Sequence, residues 1–175
     1  MAEHVPRLLI LTGLPFSGKS TLARSLASAI DAVHVEIDQI NSDRGLGVDA
    51  APITASAWSE TYSQAFHDID AALRRGHIVI FDATNYTRTQ RDDARRVAAC
   101  AGVPSLVLYV AISTNTARQR LRDNRKTRAR HDVRDDDFEN VIQNFERPTA
   151  SEGPMLELAP GCPLAEVIQR IQVRL

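Results

Sequence analysis

Residues Gly13-Leu14-Pro15-Phe16-Ser17-Gly18-Lys19-Ser20 constrain this chain more than any other stretch. They fit G-x-x-x-x-G-K-[ST], a loop whose backbone cradles phosphate. Arg7 to Thr12, just ahead, is a short apolar run suited to a buried parallel strand. Just behind, Leu22, Leu26 and Ile30 recur every four residues beside Ala23 and Ala27, the pattern of one helix face. Gly13 and Gly18 let the backbone curl so that successive N–H groups point into one hollow. The helix N-terminus adds partial positive charge there. The pattern aims Lys19 at the β- and γ-phosphates and gives the Ser20 hydroxyl to Mg²⁺. Gly13, Pro15, Phe16, Ser17, Gly18, Lys19, Ser20 and Thr21 form the candidate nucleotide-binding set. The chain has two lysines against nineteen arginines. A lysine in this slot, where arginine is the default cation, points to a need for a compact ammonium.

The length of 175 residues suits one domain spanning 1–175, and 43% hydrophobic residues suffice for a core. A net charge of −1 gives no global attraction to nucleic acid or anionic membrane. Cys100 and Cys162 form no metal or redox pattern and read as thiols in a reducing cytosol. Residues 1–6 lack a signal-peptide pattern, and no apolar run approaches the roughly 20 residues of a membrane helix. The expectation is a soluble cytoplasmic protein, monomer or dimer, with no membrane partner.

Val33 to Asp38 reads as a second strand that ends on Asp38. Ligands of open α/β sheets bind beyond the carboxyl ends of the strands, so Asp38 is a candidate general base or outer-sphere metal ligand. Residues 39–54 carry loop chemistry, with Gly45, Gly47 and Pro52. Trp58, Tyr62, Phe66, Ile69 and Leu73 then keep helical spacing. They read mainly as core, with stacking of Trp58 on a substrate ring as the alternative. His77 to Asp82 is a third strand running into Ala83-Thr84-Asn85. An acid at the end of an apolar strand beside a phosphate loop is where a Mg²⁺-orienting carboxylate belongs. Asn85 is a candidate for substrate binding or, with Thr87, for helix capping. In the following helix Arg88, Arg91, Arg95 and Arg96 alternate with Asp92 and Asp93 and read largely as a solvated face. Ser105 to Ile112 is a fourth strand, and Thr114 or Asn115 can cap the helix after it.

Eight basic residues crowd into 118–134: Arg118, Arg120, Arg122, Arg125, Lys126, Arg128, Arg130 and Arg134. A lid over a triphosphate needs such cations, and arginine's planar fork suits the role. Asp135 to Asp137 favour the start of a further helix with Phe138, Val141, Ile142 and Phe145 inward. Met155 to Leu158 reads as a short fifth strand, and Pro163 opens a last helix. Strands alternating with helices imply an α/β domain, a three-layer α/β/α fold with a parallel sheet, though not the order of its strands.

The Gly13–Ser20 loop, the strand ending near Asp38, the Asp82-Ala83-Thr84-Asn85 turn, the arginine-rich segment and the helix that follows it occur in one order. Together, over residues 7–148, the chain resembles P-loop kinases of the polynucleotide kinase, zeta-toxin, chloramphenicol phosphotransferase and seryl-tRNA kinase group. The resemblance implies a five-stranded P-loop NTPase sheet of order 2-3-1-4-5. It implies ATP and Mg²⁺ as cofactors and a hydroxyl acceptor on a small molecule, nucleotide or RNA. It assigns Lys19, Asp38, Arg122, Arg125 and Arg128 to catalysis and Ser20, Asp38 and Asp82 to metal. Asp38, Arg44, Asp82 and Asn85 fall on the acceptor side. Polynucleotide kinases carry a phosphate-reading arginine three residues after the base; here Asn41 stands there, and Arg44 is the nearest arginine. Two other classes remain open from the residues: an ATP-hydrolysing switch acting through a partner, and RNA binding through the arginine segment.

Overall fold

A computed structural model describes residues 7–47, 51–129 and 132–174. Five parallel strands, β1 (Leu8–Thr12), β2 (Val33–Glu36), β3 (Val79–Asp82), β4 (Ser105–Val110) and β5 (Met155–Leu158), form one sheet of order β2-β3-β1-β4-β5. All five residues of β1 are buried, as expected of a central strand covered on both faces. Period-two alternation divides the apolar residues between two cores. Leu8, Ile10, Val35, Val79 and Phe81 pack with α3 (Ala55–Arg74) and α4 (Arg88–Cys100). Leu9, Leu11, Ile80, Leu106 and Leu108 pack with α1 (Lys19–Ile30) and α7 (Leu164–Arg174). The arm formed by α5 (Thr114–Thr127) and α6 (Asp135–Asn144) has a small core of its own, Leu14, Ala117, Leu121 and Phe138. Among the described residues, no helix is long and apolar enough to cross a membrane.

Several boundaries differ from the sequence expectation. β2 stops at Glu36, because its neighbour β3 ends at Asp82, the register partner of Glu36. The chain turns at once into α2 (Ile37–Asp43), where loop chemistry suggested none. That helix buries Ile37 and Asn41, and the apolar half of this face is too short to stand out in the sequence. Asp38 therefore sits on the first turn of α2, not on a strand end, and is exposed. Thr87, not Asn85, caps α4, through a capping box with Gln90. Ser113, not Thr114 or Asn115, caps α5 by accepting from the Thr116 N–H. Trp58 joins a ring series with Tyr62, Phe66 and Phe81 and packs against the core.

Arg91 departs most from the expectation of a solvated face. It is fully buried on α4 in line with Ala94 and Ala98. Its fork meets Glu152 at 2.8 and 2.9 Å, and its remaining nitrogen donates to the Asn85 carbonyl at 3.0 Å. Arg95 adds a third bond to Glu152. Burial works to raise the Glu152 carboxyl, but the hydrogen bonds and charge of Arg91 and Arg95 outweigh it and hold it below the ordinary range.

Candidate functional site

The phosphate loop leaves the end of β1 through Gly13, whose φ is +150°. A Cβ there would lie 2.6 Å from the Val110 carbonyl oxygen, so the close approach of β4 requires glycine. Gly18, at φ +97°, is the N-cap of α1, and Phe16 is left-handed at φ +62°. Lys19 is buried, and its ammonium donates to the Leu14 carbonyl at 2.9 Å and to Ser17 Oγ at 3.4 Å. The sequence thus places a buried cation inside the hollow that α1 opens onto, where helix and ammonium both favour an anion. Ser20 is the second residue of α1.

Beside the loop lies a cleft of about 310 Å³, lined by Ser17, Gly18, Thr21, Arg120 and the Ala159–Cys162 turn after β5. Arg120 donates to the Phe16 carbonyl at 2.9 Å. This arginine tethers the arm to the phosphate loop, yet the resemblance singled out its neighbours instead. A signal was available: Ala117, Leu121 and Asn124 mark the inner face of α5, and Arg120 flanks it. Arg122 is exposed and bonds Gln119. Arg125 bonds Asp132, Asp135 and the Val133 carbonyl. Arg128 is the left-handed residue closing α5. Arg118 pairs bidentately with Glu139 of α6. The arm's arginines largely hold the arm together. Arg130 of the proposed lid lies outside the described residues.

Across the sheet from the cleft, Asp82 is buried at the end of β3, beside β1 in the sheet. His34 Nε2 lies 3.2 Å from Asp82 Oδ2. Glu36, opposite Asp82, pairs with Arg24 of α1 at 3.6 Å. Burial and then the Asp82 charge push the Glu36 carboxyl up, against the pull of His34 and Arg24. Asp38 adds to the same push on Glu36, so its charge lies near this group. The Tyr62 phenol is pushed well above its usual range, first by burial and then by Tyr86 and Asp38. The Ser20 hydroxyl and the Asp82 carboxylate offer the hard oxygens Mg²⁺ prefers. Arg24 reaches Glu36 from one helical turn beyond Ser20, so both stand over this edge of the sheet.

Asn85 is fully buried at φ +44°, its Nδ2 donating to the Leu11 carbonyl at 2.7 Å. Its Oδ1 is the buried side-chain oxygen left without a partner among the described residues. Asn85 thus braces the strand end beneath the phosphate loop. Arg44 is turned toward α3, where it bonds the Ala57 carbonyl at 2.7 Å, Thr61 and Glu60. Asn41 is buried and accepts from Thr61 Oγ1 at 2.7 Å. Both residues thus bind α2 to α3.

Comparison with known proteins agrees with this geometry. The chain is 27% identical to a KTI12 homolog from Arabidopsis thaliana, over 88% of this chain and 53% of that protein. It is 31% identical to an L-seryl-tRNA(Sec) kinase from Methanococcus maripaludis, over 62% of this chain and 42% of that one. It therefore spans about half the length of the curated relatives it matches. The structure of Chaetomium thermophilum Kti12 in complex with ADP-AlF3 superposes with a TM-score of 0.72 at 25% identity, covering 95% of this chain and 98% of that one. Residues 8–148 match the AAA domain family. With its strand order and its phosphate loop, the chain belongs to that family, as a P-loop kinase-like nucleotide-binding domain.

Proposed function

We propose that this protein is an ATP- and Mg²⁺-dependent kinase that transfers the γ-phosphate to a hydroxyl of a small molecule, nucleotide or RNA. One observation carries the reading: the Gly13–Ser20 loop, Asp82 and Asp38 all stand at the carboxyl edge of three adjoining parallel strands. Nucleotide phosphates exchange for the Leu14 carbonyl as partner of the Lys19 ammonium, which then faces the developing charge of the transferred group. Ser20 and Asp82 would hold Mg²⁺, which would supply positive charge to the phosphate oxygens. Asp38 accepts the acceptor's hydroxyl proton as that oxygen bonds to the γ-phosphorus and the bond from the γ-phosphorus to the bridging oxygen breaks, with ADP leaving. Arg120 and the arm close on the cleft and exclude water, with Arg122 and Arg125 exchanging their present partners for phosphate and Arg128 joining them there.

A second reading, a regulatory nucleotide-hydrolysing protein, is favoured by the similarity to the KTI12 homolog over most of this chain. The test incubates γ-labelled ATP and Mg²⁺ with 5′-hydroxyl oligonucleotides, nucleosides, aminoglycosides and other alcohols. A kinase places label on one class of acceptor, and Asp38→Asn slows that transfer at least 100-fold with little change in ATP affinity. Label released only as phosphate, at a rate indifferent to acceptor and to Asp38→Asn, would replace the kinase with the regulatory reading.

A further inference from the structure

Three donors of two kinds meet on the α1 side of the β2–β3 edge. His34 and Glu36 are two residues apart on β2, so they leave the strand on one face. Asp82 is the register partner of Glu36 on β3. One ligand atom from each lies within 4.8 Å of the others. The side chains of Asp82, His34 and Glu36 are 3, 18 and 23% exposed, so the group is shielded yet open on one side.

Two carboxylates directly opposite on neighbouring strands repel each other, and burial of one strengthens that repulsion. Exposed Arg24 answers Glu36 only from 3.6 Å. His34 meets Asp82 through one hydrogen bond. We propose that His34, Glu36 and Asp82 together form an inner-sphere site for a divalent first-row transition ion, which binds without nucleotide. The imidazole sets the class. Mg²⁺ takes oxygen ligands and keeps its waters, whereas nitrogen with carboxylates suits Zn²⁺, Co²⁺ or Mn²⁺. Ligand atoms bonded to such an ion at about 2.0–2.2 Å stand roughly 3–3.5 Å from one another. His34 Nε2 and Asp82 Oδ2 already do, at 3.2 Å. Three protein ligands leave coordination positions open, as in metal sites that also meet a substrate. The inference touches the kinase reading only in sharing Asp82: the site binds its ion whether or not phosphoryl transfer occurs.

The experiment titrates Co²⁺ into chelator-treated, nucleotide-free protein, read by visible absorption, with Zn²⁺ bound per chain counted by equilibrium dialysis. One ion per chain is expected, with His34→Ala and Glu36→Gln each weakening binding at least 10-fold while far-ultraviolet circular dichroism is unchanged. His34→Gln, which keeps bulk and a hydrogen bond to Asp82, serves if the alanine variant unfolds. Lys19→Ala retains full Co²⁺ affinity, which separates this site from the nucleotide loop. The absence of saturable binding overturns the site, and so does an affinity that His34 and Glu36 substitutions leave unchanged. Failure of the acceptor experiment alone leaves this site standing, because ion binding is read without ATP.

Discussion

Arg91 and the arginines of α5 have the same side chain and do opposite things. Arg91 is sealed in protein, with two of its three described side-chain bonds to Glu152, 61 residues on, and the third to the nearby Asn85 carbonyl. Arg122 and Arg125 lie exposed and bond their own arm. A buried ion pair stabilises only while complete, since either partner left alone is an uncompensated charge in a dry site. A surface pair is screened and contributes little, so its arginine stays available for a ligand. The fold thus separates arginines that cannot move from arginines that can.

The largest effect expected is from Arg91→Ala, which removes two of the three arginine bonds to Glu152 and loses about 3–5 kcal/mol of stability. Urea unfolding measures it, and a loss below 1 kcal/mol would put Arg91 in the same class as the arm. A smaller effect comes from pH. The Glu152 carboxyl is held low in the fold, so its contribution is complete above the unfolded value near 4.5 and falls away as pH drops through the folded one. Wild-type unfolding midpoints should decline below about pH 4.5, and Glu152→Gln, starting lower, should decline less steeply there. The smallest effect on stability is expected from Arg120→Ala, within about 0.5 kcal/mol. Its ATP affinity, followed by titration with a fluorescent nucleotide, should nevertheless fall about 10-fold or more, as the cleft loses a lining cation and the arm its tether to the phosphate loop. A variant that unfolds early but binds nucleotide normally would reverse the comparison.

The phosphate loop was legible because its cause is local: glycines, lysine and flanking apolar runs are contiguous. The five strands were legible for the same reason, although their order came from resemblance and not from periodicity. What escaped notice depends on pairing between distant segments. Asp38 lies past the end of β2 because β3 supplies no partner beyond Asp82. His34 gained chemical interest only when the parallel register set Glu36 against Asp82. Arg91 shares the phase of Ala94 and Ala98, so helix periodicity would have turned it inward, but its charge argued for solvent. Its partner Glu152 lies 61 residues on. The bonds of Arg44 to α3 were hidden because α2 and α3 cannot be seen to meet in one dimension.

The turn at 84–86 gathers three segments at consecutive backbone carbonyls. The Thr84 oxygen accepts from Gly13 N–H and the Thr12 hydroxyl. The Asn85 oxygen accepts from Thr12 and Arg91, and the Tyr86 oxygen accepts from the Glu146 N–H. Every residue type carries such an oxygen. Side-chain replacement at Thr84 or Tyr86 therefore cannot delete the acceptors, and the junction is robust to mutation at its own centre. Its genetic fragility lies elsewhere, in the two side chains that reach into it, Thr12 and Arg91.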